Sequence, residues 1–438
     1  MSRFFEASKC LPVVCSNRNV FEVAGHIKAA PCLTFLGQLL KNRLERVIRK
    51  ELHASLSSCL EVYVPPIQSI KNYEISGRFS EFKDNLIGIS DSHPNTHPSD
   101  KQILAPTSEE SFVLLKKRLD IYGQKMPCVF YQFSEKFRRE QRANNQFMRS
   151  NVFHMKEMYS FHESEACAKE HYYQVEKIYT SIFKIIFGQE TPIYAVEDKE
   201  SLSKRVGKST EFHLQNVLGE DRIFHCSNCR ASAKANHWKV GFETENSENF
   251  LCKSCGAENE RTSLRRTSEI GHIFSFTKDF CRMIHEWKKA PKTKMDKPWL
   301  LNSYGIGVSR IISILGRNFD KFTQSIAPFD YALLSSKDYG TPECEISREM
   351  CRNFWKLLKN SPKISKLHID LIFQDSTDRS IGFKVRDLKT IGVKNFMVFN
   401  RKIAMPDSEL KNHIEFICDD KSSYMTVDEA EKYLENLC

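Results

Sequence analysis

No run of eighteen uninterrupted apolar residues occurs in the 438-residue chain, so no membrane-spanning helix is expected. The first twenty residues show no secretory apolar core, and hold Arg3, Lys9 and Arg18 against Glu6, so a secretory leader is not expected. That basic bias is compatible with an organellar presequence. Internal repeats and long low-complexity tracts are absent. No GxxxxGK[ST] segment occurs, which argues against an ordinary P-loop nucleotide site. The 15 cysteines are odd in number and mostly scattered, which argues against a secreted disulfide scaffold and for a reducing compartment.

What is present suits a globular enzyme, with 41% apolar and 27% charged residues. The length suffices for two or three domains with full cores. A net charge of +10 fits a polyanionic partner such as RNA, although a basic surface with no such role is nearly as common. Leu36, Leu40, Leu44, Val47, Ile48 and Leu52 recur at helical spacing and predict an amphipathic helix over 33–56, with Arg43, Arg46, Arg49 and Lys50 between them, read as a solvated face. Residues 61–68 read as a strand running into prolines, and 90–101 as a loop. Val129, Tyr131 and Phe133, then Phe153 and Met155, outline a long antiparallel hairpin. Tyr172, Val175, Tyr179, Ile182 and Ile186 form one face of a helix closed by Gly188. Strand-like runs at 331–334, 367–373 and 396–399 alternate with helical patterns at 346–358 and 427–437, where Thr426 and Glu429 make a capping box.

The chemistry concentrates in two places. FRRE at 137–140 is followed by Arg149, Phe153 and Glu157. On a strand, Arg138 and Glu140 share a face. An arginine fork binds phosphate, a carboxylate accepts from an exocyclic amine, and a phenylalanine stacks on a purine. The alternative is a salt-bridged surface hairpin. In YGIGVSR at 304–310, two glycines admit a ligand close to the backbone and Arg310 sits one turn into a helix.

Together these segments resemble motifs 2 and 3 of class II aminoacyl-tRNA synthetases. LAPTSEES at 104–111, MRSNVFHMKEMYSFH at 148–162, EIGHIF at 269–274, SIAPFD at 325–330, VYVPP at 62–66 and SGRF at 76–79 are similar, in order, to segments of the prolyl-tRNA synthetase family. The resemblance runs from about residue 24 to the C-terminus. It implies an α+β fold: a catalytic core of antiparallel sheet flanked by helices, and a C-terminal α/β anticodon-binding domain. The expected division is an N-terminal extension at 1–23, a catalytic domain at 24–335 with a cysteine-rich insert at about 190–265, and the anticodon-binding domain at 336–438.

The resemblance further implies ATP-dependent activation of L-proline and its transfer to tRNA(Pro), with Mg2+ bridging the phosphates, by a homodimer. Arg138 and Arg310 would be catalytic. Arg138, Glu140, Arg149, Phe153 and Arg310 would hold ATP, and Thr107, Glu109, Arg138, Thr210 and His272 would surround proline. Departures from the family pattern are Thr210 where a histidine is usual, Arg205 and Val206 in place of glycines, Asn144, Asn145 and Gln146 in the motif 2 loop, and Ser303 before motif 3. They keep open a second reading, an RNA-binding accessory protein with weakened catalysis.

Cys226-x-x-Cys229 and Cys252-x-x-Cys255 lie 22 residues apart, a spacing that can supply four thiolates to a structural Zn2+. Unmetallated core cysteines or a vestigial site are the alternatives. The segment stands where many bacterial relatives insert an editing domain and is too short to be one, so uncorrected alanine activation is expected. Its short form resembles mitochondrial members, which implies a matrix location, the cytoplasm being the alternative. Lys384, Arg379 and Arg386 are candidates for anticodon contacts.

Overall fold

The computed structural model describes residues 3–7, 19–89, 101–119, 126–143, 146–198, 202–216, 219–235, 252, 254–257, 262–286, 298–317, 322–419 and 421–437. The loop expected at 90–101 and the motif 2 residues Asn144 and Asn145 fall almost wholly outside these. Two compact units form, one of residues 22–32 and 45–314, the other of 1–21, 33–44 and 315–438.

Helix α1 (Phe35–Ser55) follows the expected periodicity, with Leu36, Leu40, Leu44, Ile48 and Leu52 buried. In the larger unit come β1 (Cys59–Glu61), α2 (Glu109–Leu119), β2 (Cys128–Phe137), β3 (Val152–His162), α3 (Glu165–Phe187), β4 (Ile193–Glu197), β5 (Val206–Gln215), β6 (Asp221–Cys226), β7 (Ser232–Lys234), β8 (Thr262–Phe276), α4 (Lys278–Glu286), β9 (Leu300–Ile306) and α5 (Val308–Leu315). Their strands make one sheet in the order β4-β5-β8-β9-β3-β2-β1, antiparallel except at β1–β2, with β6 paired to β8 and β7 to β6. The hairpin β2–β3 runs in register from Cys128 opposite Phe161 to Phe137 opposite Val152. Strand β2 therefore ends at Phe137. Arg138 and Glu140 lie in the loop just beyond it rather than on one strand face, because the backbone leaves the ladder to turn: Arg138 N–H still bonds Asn151 O, but Glu140 N–H bonds the Asn151 side chain.

Helix α3 covers one face of the sheet with Tyr172, Val175, Tyr179, Ile182 and Ile186, and Ser164 caps its N-terminus by accepting from Cys167 N–H. Beneath it Gly271 is required by close approach, since a Cβ there would lie 2.9 Å from the Phe183 ring.

The smaller unit is a six-stranded sheet in the order Arg3–Ala7, Asp370–Gln374, Tyr331–Ser335, Asn395–Phe399, His413–Cys418 and Lys421–Thr426. The first four strands are mutually parallel, and its three central members are buried at every position, as strands covered on both faces are. Tyr331–Ser335 is a central strand of this sheet, so the chain enters the unit well before residue 336. Arg3–Ala7, expected within an extension, is instead the edge strand beside Asp370–Gln374. Arg43 was expected on a solvated face of its helix. It is instead buried against Asp330 and, at 2.9 Å, Asp370, because these two acids sit at the start of adjacent parallel strands. Lys384 is also no surface group: its ammonium donates to Ser335 O at 2.7 Å and Gln374 O at 3.3 Å, satisfying carbonyls at the ends of two parallel strands. Arg379 and Arg386 remain outside, flanking Phe383. The capping box at Thr426 and Glu429 is present.

A buried polar network ties α3 to the sheet. Ser160 Oγ meets His162 Nε2 at 2.7 Å and Tyr304 OH at 2.9 Å, and His171 Nδ1 meets the same hydroxyl at 2.8 Å. Burial pushes the His162 imidazole down to about 3 and His171 to about 4. Both are therefore neutral in the fold and protonate more readily when unfolded. Their contribution is complete above pH 6.5 and is lost as pH falls toward 4, by about 2 kcal/mol per histidine between pH 7 and 5. Urea unfolding at pH 7, 6 and 5 is expected to show this slope, and His171→Gln to flatten it. An unchanged slope in the variant would count against the burial.

Candidate active site

A cavity of about 270 Å³ opens in the larger unit where the hairpin β2–β3, the loop before α2 and the facing strands β8 and β9 converge. Thr107, Glu109, Arg138, Glu140, Arg149, Phe153, His272 and Arg310 all line it. Residues from five separate stretches of chain thus meet in one place.

The loop at 104–110 is fixed from below. Thr107 O accepts from Tyr73 OH at 2.8 Å, and the Thr107 hydroxyl donates to Glu109. Arg78 is buried and donates to Glu109 at 2.9 Å and Glu110 at 3.1 Å, while Ser76 Oγ donates to Glu110 at 2.7 Å. Burial opposes charge on Glu109, but Arg78 and the Thr107 hydroxyl outweigh it and hold the carboxyl below its ordinary range. Burial, with the charge of Glu109 beside it, pushes Glu110 up despite Arg78. Glu109 is thus the member of the pair kept ionised at the cavity. Behind it, Tyr159 OH lies 3.3 Å from Thr107 Oγ1 and donates to Glu157, which accepts in turn from Lys136 and Gln132 at 2.5 Å each.

Cations and carboxylates alternate around the rest of the wall. The Arg138 Nε–H donates to Pro106 O at 3.1 Å, and its guanidinium lies 5.1 Å from the Phe153 ring centre. Arg149 pairs with Glu140 at 3.0 Å and with Glu220. Arg310, one turn into α5, donates to Glu269 O at 2.9 Å and to its carboxylate at 3.2 Å. Burial opposes charge on Glu269, but Arg310, His272 and His213 hold it below its ordinary value.

His272 lies on the wall with its Nε2 2.6 Å from Ser209 Oγ. Thr210, the next residue on β5, is not on the wall. Strand alternation turns it to the opposite face, where its hydroxyl accepts from Tyr172 of α3 at 2.8 Å. Glu157 belongs to the group read with FRRE, whereas Arg78, Tyr159 and Glu269 were not picked out as site residues from sequence. The SGRF, MRSNVFHMKEMYSFH and EIGHIF segments contain them, but Arg78 and Glu269 are paired with residues far away in the chain.

The four cysteines of the insert also converge. Cys226 and Cys255 sulfurs are 3.7 Å apart, Cys229 and Cys252 3.6 Å apart, and all four Sγ atoms lie within 4.8 Å of one another. The two knuckles share one backbone plan: Arg230 N–H bonds Cys226 O and Gly256 N–H bonds Cys252 O, and Arg230 and Gly256 both have positive φ.

The tRNA synthetase class II core domain model (G, H, P, S and T) matches residues 94–319, just over half the chain, and the chain belongs to this family. Proline–tRNA ligases from Sulfurimonas denitrificans and Neorickettsia sennetsu are 26% and 28% identical to it over 389 and 381 residues, covering 84% and 82% of this chain and 82% and 80% of theirs. Prolyl-tRNA synthetase from Cryptosporidium parvum, solved with L-proline and AMP, has the same fold, with a TM-score of 0.60 and 13% identity over 97% of this chain and 74% of that one. The Giardia lamblia enzyme, solved with prolyl-adenylate, gives 0.64 and 12% over 92% and 70%.

Arg78→Met leaves two carboxylates buried without their cation and is expected to lower stability by about 3–5 kcal/mol. Arg78→Lys restores one charge without the fork and should recover only part of this. Unfolding of the two variants beside wild type checks both, and equal stability of Arg78→Met and wild type would refute the role.

Proposed function

We propose that the chain is a proline–tRNA ligase, which activates L-proline with ATP to prolyl-adenylate and passes it to tRNA(Pro). One observation carries this: an ionised Glu109 and three arginines, 138, 149 and 310, line a single cavity with Thr107, Glu140 and Phe153. An ionised carboxylate in the cavity suits the secondary ammonium of proline. Arginines around it suit a carboxylate and a triphosphate.

The roles follow from position. Glu109 and the Thr107 hydroxyl receive the proline ammonium. Arg138 bridges its carboxylate and the α-phosphate, while its stacking on Phe153 leaves that ring to support adenine. Glu140 reads the adenine amine, and Arg149 and Arg310 hold the β- and γ-phosphates. ATP enters as its Mg2+ complex. The proline carboxylate attacks the α-phosphorus and pyrophosphate leaves; no side chain need gain or lose a proton. Catalysis is orientation plus stabilisation of developing phosphate charge. The terminal ribose hydroxyl of tRNA then attacks the prolyl carbonyl and AMP leaves. The accessory-protein alternative rested on Thr210 and on the glycines replaced by Arg205 and Val206. Because the Thr210 side chain faces α3, that change removes no group from the cavity wall.

The four clustered thiolates suit structural Zn2+, since all four positions are protein sulfur and the matched knuckles hold them together. We read the protein further as a homodimer resident in the mitochondrial matrix. The exposed Leu60, Tyr63 and Ile67 around the VYVPP segment support the first, and the short insert the second. Arg379 and Arg386 remain the candidates for anticodon contacts.

Proline-dependent ATP–pyrophosphate exchange is the expected activity. Arg138→Ala should lower it about 100-fold or more, equivalent to about 3 kcal/mol. Alanine should support slower exchange, since the loss of a methylene or two weakens binding by only about 1–3 kcal/mol each. No exchange by folded wild type would overturn the reading. Metal analysis is expected to find about one zinc per chain, absent from a Cys226→Ser, Cys252→Ser double variant; less than about half an equivalent in wild type would rule zinc out.

A further inference from the structure

Lys234 is the last residue of β7, the short strand that leaves the first cysteine knuckle. The knuckle sets its register: Cys226 N–H bonds Ala231 O, and β6 then pairs His225 with Ser232 and Ile223 with Lys234. This register carries the Lys234 ammonium onto two carboxylates beyond the cysteine knuckles, Asp198 Oδ1 just after β4 at 2.8 Å and Glu211 Oε1 on β5 at 2.9 Å. Both acids are buried. Burial opposes charge on the lysine, but the two carboxylates hold its ammonium well above the ordinary range.

The cluster touches the cavity wall. Glu211 stands directly opposite His272 in the β5–β8 ladder, and Asp198 N–H bonds Ser209 O, the residue whose hydroxyl meets His272 Nε2 at 2.6 Å. Asp198, Glu211 and His272 offer ligand atoms within 4.8 Å of one another, a set that could itself hold a cation. Here the lysine ammonium is bonded to its two carboxylates. Glu211 gives its other oxygen to His213 at 2.8 Å, and His272 keeps Ser209 at its Nε2 and faces Glu269 Oε1, 3.7 Å from its Nδ1. Without the ammonium, two buried acids beside His272 would draw its proton or a solvent cation and turn the imidazole from the wall.

We propose that Lys234 is a positioning residue through which the cysteine insert orders the amino-acid side of the cavity, its ammonium neutralising Asp198 and Glu211 so that His272 stays in place for proline. The inference rests on the proline-activating reading above. It makes the insert a determinant of proline affinity and leaves ATP binding, on the far side of Arg138, independent of it.

The test uses the full chain with Lys234→Met and Lys234→Arg. Pyrophosphate exchange gives kcat and KM for each substrate, equilibrium dialysis gives proline binding, and zinc content and thermal melting are recorded for each protein. Lys234→Met is expected to raise the KM and Kd for proline at least about tenfold, with kcat and the KM for ATP within about twofold; Lys234→Arg should return to within about threefold of wild type. If Lys234→Met does not fold, Glu211→Gln, which also breaks the cluster, replaces it and should raise the proline KM in the same selective way. Wild type stripped of metal by 1,10-phenanthroline should likewise bind proline at least about tenfold more weakly in dialysis. Unchanged proline binding in the variant used, equal changes for both substrates, or a loss of kcat alone would overturn the proposal. Stripped wild type with undiminished proline binding would overturn the link to the insert. A wild type that neither exchanges nor binds proline would overturn the functional reading and the proposal with it.

Discussion

The cavity depends on one buried guanidinium. Arg78 lies between Glu109 and Glu110 at the start of α2, and each of the three is nearly sealed from water. A lone carboxylate could not stay charged there, since desolvation alone would drive it to protonate. One arginine facing two acids resolves this unequally: Glu109 stays charged and Glu110 is pushed toward its neutral form. The loop that carries Thr107 is pinned by the same set of contacts. Charge and shape at the amino-acid end of the site thus have one origin.

The other end follows a different rule. Arg149 and Arg310 are paired with Glu140, Glu220 and Glu269. Such pairs, partly open to water, are worth little to stability but hold long side chains near one geometry. A polyphosphate brings more negative charge than the resident carboxylates and can take over these arginines without unpairing them. Where Arg78 is sealed to keep a charge fixed, Arg149 and Arg310 stay at the opening, where partners can be exchanged.

The cysteine knuckles have little core of their own: Phe224, Cys226 and Cys252 form the buried cluster around them among the described residues. Four sulfurs converge there, and one short strand, β7, leads from the first knuckle to the ion pairs of Lys234 with Asp198 and Glu211. In the smaller unit the analogous task falls to ordinary packing: Leu333, Phe354, Trp355, Phe373 and Phe399 form an extensive core, and charge is buried only where Arg43 meets Asp330 and Asp370 at the starts of parallel strands and where Lys384 meets carbonyls at their ends.

The sequence by itself determined the chemical inventory and most local structure. Apolar spacing located α1, the hairpin and α3, because helix and strand periods are written in adjacent residues. The ordered motifs pointed to Thr107, Glu109, Arg138, Arg149 and Arg310, and the structure brings these five to one cavity. Partners were a different matter. Arg43 looked solvated and Lys384 looked like an RNA contact, since a basic residue in a polar stretch reads alike whether it faces water or a distant acid. Thr210 was assigned to the cavity by likeness, and strand alternation placed it against Tyr172 instead. Arg78 and Glu269 passed unnoticed because each is defined by a residue tens of positions away. Ion pairs and buried hydrogen bonds are long-range contacts made by strand register and loop path, and only the tertiary structure decided which charge met which.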